Sequence, residues 1–178
     1  MNRNHTLLVA SVVMLLSSCA PTPTKDIVVD VQADPKANLS GYKTYAWFVA
    51  AAIVNDRYGQ WEPPAFDADA EIKHLIDREL RKRGMSQSSP LVHPDVIVAF
   101  AAGINMDALV LKVDPKSKIE WLANVPRGGL VIALIDGESG FIIWAGVATA
   151  KIQQSPTAKT VKARLDYAVT QLFQKLPE

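Results

Sequence analysis

The order of apolar and polar positions divides this chain before any motif is considered. Leu7 to Leu16, LLVASVVMLL, is almost unbroken apolar sequence. It is too short to cross a hydrocarbon core as a helix, which takes roughly 20 residues. After a Pro/Thr stretch, Ile27, Val29 and Val31 alternate with Asp30 and Gln32, the period of a half-buried strand. Asn38 to Gly41 supply a turn. Tyr42 to Val49, YKTYAWFV, is rich in strand-favouring aromatic and β-branched residues. Residues 50–66 contain Asn55, Gly59 and Pro63-Pro64 and predict a loop.

The period then lengthens. From about Asp67 to Arg83, Ile72, Leu75, Ile76 and Leu80 share one helical face. Asp67, Asp69 and Glu71 crowd the positive end, Arg81, Lys82 and Arg83 the negative end, and Gly84 stands ready to stop the helix. Val96 to Ala102, VIVAFAA, is apolar on both faces, as a central strand is. Leu109, Leu111 and Val113 alternate, Asp114 to Lys118 turn, and Ile119, Trp121 and Ala123 alternate again; a projecting hairpin over 109–123 follows. Leu130 to Ile135 and Phe141 to Ile152 are two further strands joined by a Gly-containing loop. Thr160 to Leu176 is the last helix, with Val161, Leu165, Ala168, Val169, Leu172, Phe173 and Leu176 as its apolar stripe and Pro177 as its stop.

The sum is ββα-β-(hairpin)-ββα. Two amphipathic helices need an apolar surface, and a mostly antiparallel β-sheet supplies one. The expected architecture is therefore α+β, with both helices packed on one face of the sheet. Residues 26–178 are expected to form a single domain.

The only cysteine, Cys19, follows the apolar block directly. Arg3 is the one fixed positive charge ahead of that block, and small residues follow it, as in a secretory signal peptide. Leu16-Ser17-Ser18-Cys19 resembles the lipobox of bacterial lipoproteins. That resemblance implies a diacylglyceryl group on the Cys19 sulfur, cleavage before it and acylation of the new amino terminus. Residues 1–18 are then a lipoprotein signal peptide, and 19–25 the lipidated cysteine with a short tether. Extended, Ala20 to Lys25 reach roughly 20 Å, which keeps the domain near its membrane. More than one chain is needed for a stable anchor. Ala20 stands where an aspartate is the usual inner-membrane retention signal, which favours the outer membrane, facing the periplasm, in a Gram-negative host.

Removing residues 1–18 takes away Arg3 and no acid, so 18 acidic residues face an equal number of basic ones. A neutral domain without a basic block gives no electrostatic case for nucleic acid. With no second cysteine, an internal disulfide and a thiolate metal cage are both excluded. No second run is long and apolar enough to span a bilayer.

With the elements placed, the chain resembles the DUF4136 family of bacterial lipoproteins over most of residues 26–177. The resemblance rests on Thr44-Tyr45-Ala46-Trp47, on Leu80 to Gly84 and on Pro94-Asp95. Asp136, Trp144 and Gly146 around the last hairpin also carry it, with the closing Leu176-Pro177. Met85 stands where the family often has an aromatic, and Ala145 where a basic residue is common. The family implies a lipid-anchored envelope domain with no established activity.

Motifs of catalysis are absent from the sequence. His5 leaves with the signal peptide, and His74 and His93 belong to no HExxH pattern, so neither metal nor cofactor is expected. Gly137-Glu138-Ser139-Gly140 lacks the spacing of a nucleophile elbow and reads as a turn. Asp67-Ala68-Asp69-Ala70-Glu71 lacks the glycine and distal glutamate of a calcium loop, and Arg127-Gly128-Gly129 is no P-loop. Trp47 and Trp144 lie in apolar strands and are expected in the core. Trp61 and Trp121 lie in the loop and the hairpin and are the candidate contact surface. Lys159, Lys162, Arg164 and Lys175 read as the solvated face of the last helix.

The leading expectation is a non-enzymatic outer-membrane lipoprotein of unknown biochemical role, a binding or envelope-structural module. Its expected partners are the membrane through Cys19, the lipoprotein processing and sorting machinery, and an envelope protein. The alternative is a carrier of a small apolar ligand or lipid. A hydrolase with an unfamiliar site, built on acids clustered with His93, ranks third.

Overall fold

In the computed structural model, which describes residues 24–48, 54–55, 66–89, 92–103, 111–113, 120–122, 128–151, 153 and 156–177, each described periodic run becomes an element. In chain order these are β1 (Val28–Ala33), β2 (Thr44–Trp47), β3 (Val54–Asn55), α1 (Ala68–Lys82), β4 (Ser86–Gln87) and β5 (Val96–Gly103). Then come β6 (Leu111–Val113), β7 (Glu120–Leu122), β8 (Gly129–Asp136), β9 (Ile142–Thr149) and α2 (Ala158–Gln174).

The main sheet has the order β1-β9-β8-β5-β2-β4, with β3 beside the far end of β5. β5–β8, β8–β9 and β9–β1 are antiparallel, so the expected mostly antiparallel α+β sheet forms. β2 departs from that rule: it lies parallel to β5, because α1 carries the chain back between them. The loop expected over 50–66 contains β3, which pairs parallel to Ala102 and Gly103. The hairpin expected over 109–123 forms its own small sheet, with Lys112 opposite Trp121.

Both helices lie on one face. Tyr45, Val98, Ile132 and Trp144 from the sheet join Ile76 and Leu80 of α1 and Val169 and Phe173 of α2 in one buried cluster. Burial of each such aliphatic or phenyl side chain contributes roughly 1.5–3 kcal/mol. Trp144 is fully buried and leans on Phe173, with ring centroids 5.7 Å apart, and its Nε1 has no hydrogen-bond partner. Gly146 makes room for that indole: a Cβ there would stand 2.5 Å from Trp144 and 2.9 Å from Leu172. Trp47 is half-buried at the cluster's border, edge-on to Phe100 at 6.0 Å. Both sequence-expected tryptophans therefore pack on the core. Register puts Ala99, Val131, Ala133 and Ala145 on the opposite face, which is also apolar.

The helices begin and end as their sequences dictate. Asp67 accepts from Ala70 N at 3.0 Å, and Thr157 from Thr160 N at 3.2 Å. α1 stops in a Schellman turn: Gly84 has φ 77°, its N–H bonds Arg81 O, and Met85 N bonds Leu80 O. Met85, where the family often has an aromatic, is buried there. α1 and α2 run parallel, cross-linked from start to finish. Lys162 meets Glu71 at 2.6 Å, and Arg78 bonds Thr170 at 2.9 Å and pairs with Asp166. Arg83 donates to the carbonyl of Phe173 in the last turn of α2 and to those of Leu176 and Pro177 beyond its end.

β1 is an edge strand, and two of its outward backbone groups are occupied. Lys175 Nζ donates to Val29 O at 2.9 Å, and the Asp30 carboxylate accepts from Val31 N at 2.9 Å. Among the described residues, no helix is long and apolar enough to cross a membrane.

Candidate functional site

The two ends of the main sheet are built differently. At one end, β2 and β5 begin and β8 turns into β9. Asp95 Oδ2 accepts from Lys43 N, Thr44 N and Thr44 Oγ1, each at 2.8 Å, and Asp95 N donates back to Thr44 Oγ1 at 3.0 Å. Gly137 N reaches Asp95 O at 2.8 Å. Tyr42 OH donates to Asp136 Oδ2 at 2.7 Å, while Ser139 N and Oγ cap Oδ1 of the same carboxylate. These bonds have electrostatic consequences. The Lys43 N–H and the Thr44 donors hold Asp95 below the usual carboxylate range. Ser139 and Tyr42 do the same for Asp136. The Asp136 bond, helped by burial, pushes the Tyr42 phenol up to about 12.

Asp95 and Asp136 carry part of the family resemblance, and here they are fasteners. Asp95 Oδ2 and both carboxylate oxygens of Asp136 accept from backbone and hydroxyl donors. His93, beside Pro94-Asp95, is exposed, and so is His74 on α1. Ser139 lies in the β8–β9 turn with its hydroxyl bonded to Asp136, as the turn reading expects. The acids at the start of α1 also have partners: Asp67 caps the helix, Asp69 pairs with Lys73 at 2.7 Å and Glu71 with Lys162. Among the described residues no group of three or more His, Cys, Asp or Glu side chains is arranged to hold a metal ion.

The other end of the sheet is roomy. Where β5 and β9 finish and β8 begins, α2 stands off the strands and leaves a cavity of about 180 Å³. Its walls are mostly aliphatic, with Leu130, Ala148, Val161, Leu165 and Ala168 on the strand and helix sides and Ile27 on the β1 side, while Thr149, Lys151, Gln153 and Arg164 are its polar lining. The space follows from small residues facing one another. Ala102 and Ala148 fill little of the volume under α2, and Ala168 fills little from above.

One charged pair closes this end. Arg164 is 9% exposed, and its guanidinium grips Asp26 with two bonds of 2.8 Å, Nη1 to Oδ1 and Nη2 to Oδ2. Lys151 N donates to Asp26 Oδ2 at 2.9 Å. The Arg164 bonds hold Asp26 well below the usual carboxylate range. This corrects the reading of Arg164 as part of a solvated face: it is a buried lining residue of the cavity. Sequence carried the signal. Arg164 lies three positions after Val161 and four before Ala168, on the apolar stripe itself, where a cation needs a counter-charge.

The residues singled out from sequence fall elsewhere. Cys19 and Trp61 lie outside the described residues, as do the signal segment 1–18 and most of the tether. Trp121 has a register position in β7 opposite Lys112. The cavity and the Asp26–Arg164 pair were not among the sequence candidates, because a cavity is set by what surrounding side chains leave unfilled.

Comparison with known proteins adds the family. The sequence model named "Domain of unknown function (DUF4136)" matches residues 29–178. No curated protein sequence matches the chain. A DUF4136 family protein from Bacteroides thetaiotaomicron superposes with a TM-score of 0.57 at 10% identity, covering 82% of this chain and 95% of that one. The PelC dodecamer of Paraburkholderia phytofirmans gives 0.44 at 15% identity, covering 82% and 97%. A DUF330 protein from Xanthomonas campestris gives 0.43 at 13%, covering 83% and 88%. The first of these likenesses shows a shared fold.

Proposed function

We propose that this chain, which belongs to the DUF4136 family, is a lipid-anchored outer-membrane lipoprotein whose periplasmic domain is a non-catalytic binding or envelope-structural module. The observation that carries the reading is the fastening at Asp26. Seven residues after Cys19, the incoming chain is gripped by a bidentate guanidinium and a backbone N–H. A tether that bears load needs such a grip, so that force enters through α2 and does not peel β1 from the sheet. The apolar block, Ser17-Ser18-Cys19 and the short Pro/Thr stretch supply the rest of the anchor. Ala20 after the cysteine supports the outer membrane in a Gram-negative host. The segments holding Trp61 and Trp121 are the contact surface of this reading.

Labelling with radioactive palmitate, followed by membrane fractionation, tests it. Cys19→Ala should abolish the label and leave residues 1–18 attached; a label that persists defeats the anchor. Cross-linking from the 50–66 and 109–123 segments in intact cells tests the contact surface. An envelope protein should be captured, and consistent failure of both segments defeats that assignment.

A second reading, a carrier of a small apolar ligand, is favoured by the cavity beneath α2. Native mass spectrometry of the full chain should then find apolar mass bound to it, and an empty protein argues against carriage.

A further inference from the structure

Lipid anchoring and an aliphatic cavity meet at the same end of this molecule. Ile27 lines the cavity, and Asp26 beside it is clamped to α2 by Arg164. Ile27 is eight Cα steps after Cys19, a reach of at most about 28 Å. The cavity therefore stays close to wherever the Cys19 sulfur is held. Its position is not free to drift, because Arg164 and Lys151 N fix the last residue before the wall.

The walls define the ligand class. They are mainly aliphatic, with Thr149 and Gln153 as the uncharged polar side chains, and no aromatic side chain lines the cavity among the described residues. The buried Arg164 is engaged with Asp26 and offers no unpaired charge to a ligand inside. At about 180 Å³ the space is close to that of an apolar cavity that stays dry and takes up benzene, so it holds about six carbons. A whole lipid is far larger. A chain inserted end-first needs only its last carbons accommodated, and its polar end remains outside. Lys151, exposed at the rim, places an ammonium where a carboxylate or phosphate head would emerge.

Resting on the carrier reading above, we propose that the cavity between α2 and the Gly129/Ala148 end of the sheet takes the terminal carbons of an acyl chain, head outward beside Lys151. The chain belongs either to the protein's own anchor or to a separate lipid or fatty acid; the recognising chemistry is the same.

Membranes from cells producing the full chain are incubated with a palmitic acid analogue carrying a diazirine on its terminal carbon, irradiated, and the adducts mapped. Adducts should fall on the α2 peptide containing Val161 to Ala168 and on the strand peptide containing Ala148. Val161→Trp and Ala168→Leu fill the space from two positions, and each should lower adduct yield at least tenfold. Val161 is partly exposed and tolerates the change if Ala168→Leu does not fold. Lys151→Glu should weaken capture several-fold without moving the adducts. In Cys19→Ala, a rise in adducts means the anchor's own chain normally fills the site, and an unchanged yield means a separate lipid does. Adducts spread over other surfaces, or unaffected by both filling variants, overturn the inference. Bound non-acyl mass in native mass spectrometry, with no adducts at the cavity, keeps the carrier reading and discards this one.

Discussion

The two ends of the main sheet solve opposite problems. At the Asp95/Asp136 end, loops that start β2 and β5 and join β8 to β9 are tied by short polar side chains bonded to backbone and hydroxyl donors of neighbouring segments. At the Asp26/Arg164 end, the strands finish in small residues, α2 stands away, and one ion pair holds the border. Polar groups at the first end are placed for rigidity, since each bond joins two separate segments of the chain or closes the turn between two strands. Small apolar groups at the second end sacrifice packing, and natural cores seldom leave such space without a use.

Substitutions can sharpen that contrast. The largest effect is expected from Asp95→Ala, which strands Lys43 N, Thr44 N and the Thr44 hydroxyl together. A loss of about 3 kcal/mol in urea unfolding is expected. A loss under about 1 kcal/mol would mean the polar end is not a fastening. Asp26→Asn should follow at about 2 kcal/mol, since it breaks a charge-assisted pair to a nearly buried guanidinium. Tyr42→Phe, losing one bond to Asp136, should cost about 1 kcal/mol. Ala168→Leu sits at the roomy end, where added carbons find space, and should change stability by under about 0.5 kcal/mol. The same addition at a packed position should not be tolerated. Gly146→Ala, aimed at Trp144, is the control and is expected to cost about 1–3 kcal/mol.

Acidity distinguishes the ends as well. Asp26, Asp95 and Asp136 all titrate lower in the folded chain than an ordinary carboxylate. Their stabilisation is therefore complete above the unfolded value of about 4 and is lost as pH falls through the folded values. The urea midpoint should be level from pH 7 to about 5 and drop below about 4, less steeply in Asp26→Asn. Tyr42 runs the other way. Raised to about 12, it favours the fold below pH about 10 and ceases to do so as pH climbs to about 12; Tyr42→Phe should remove that alkaline component.

Much of this was legible along the chain. Alternation at 27–32, the apolar run at 130–135 and helical spacing at 72–80 and 161–176 belong to single segments and need no partner to be read. Other features needed the third dimension. β3 and β4 are two residues each, below any detectable period. The parallel seat of β2 beside β5 depends on where α1 returns the chain, which periodicity does not encode. Asp95 and Asp136 stood out by family resemblance, but their partners lie about 50 and 90 residues away in the chain. Arg164 was within reach: its phase on α2 put it among the apolar positions, and its charge alone suggested a solvated place.

The two guarded groups on the rim of β1 have a consequence if the proposed anchor holds the domain on a membrane. Confinement to two dimensions packs neighbours together far more densely than dilution in bulk allows, and a bare strand rim under those conditions is an invitation to polymerise. By turning Lys175 onto one carbonyl and Asp30 onto the next outward amide, the chain removes two of the groups on which another copy would zip.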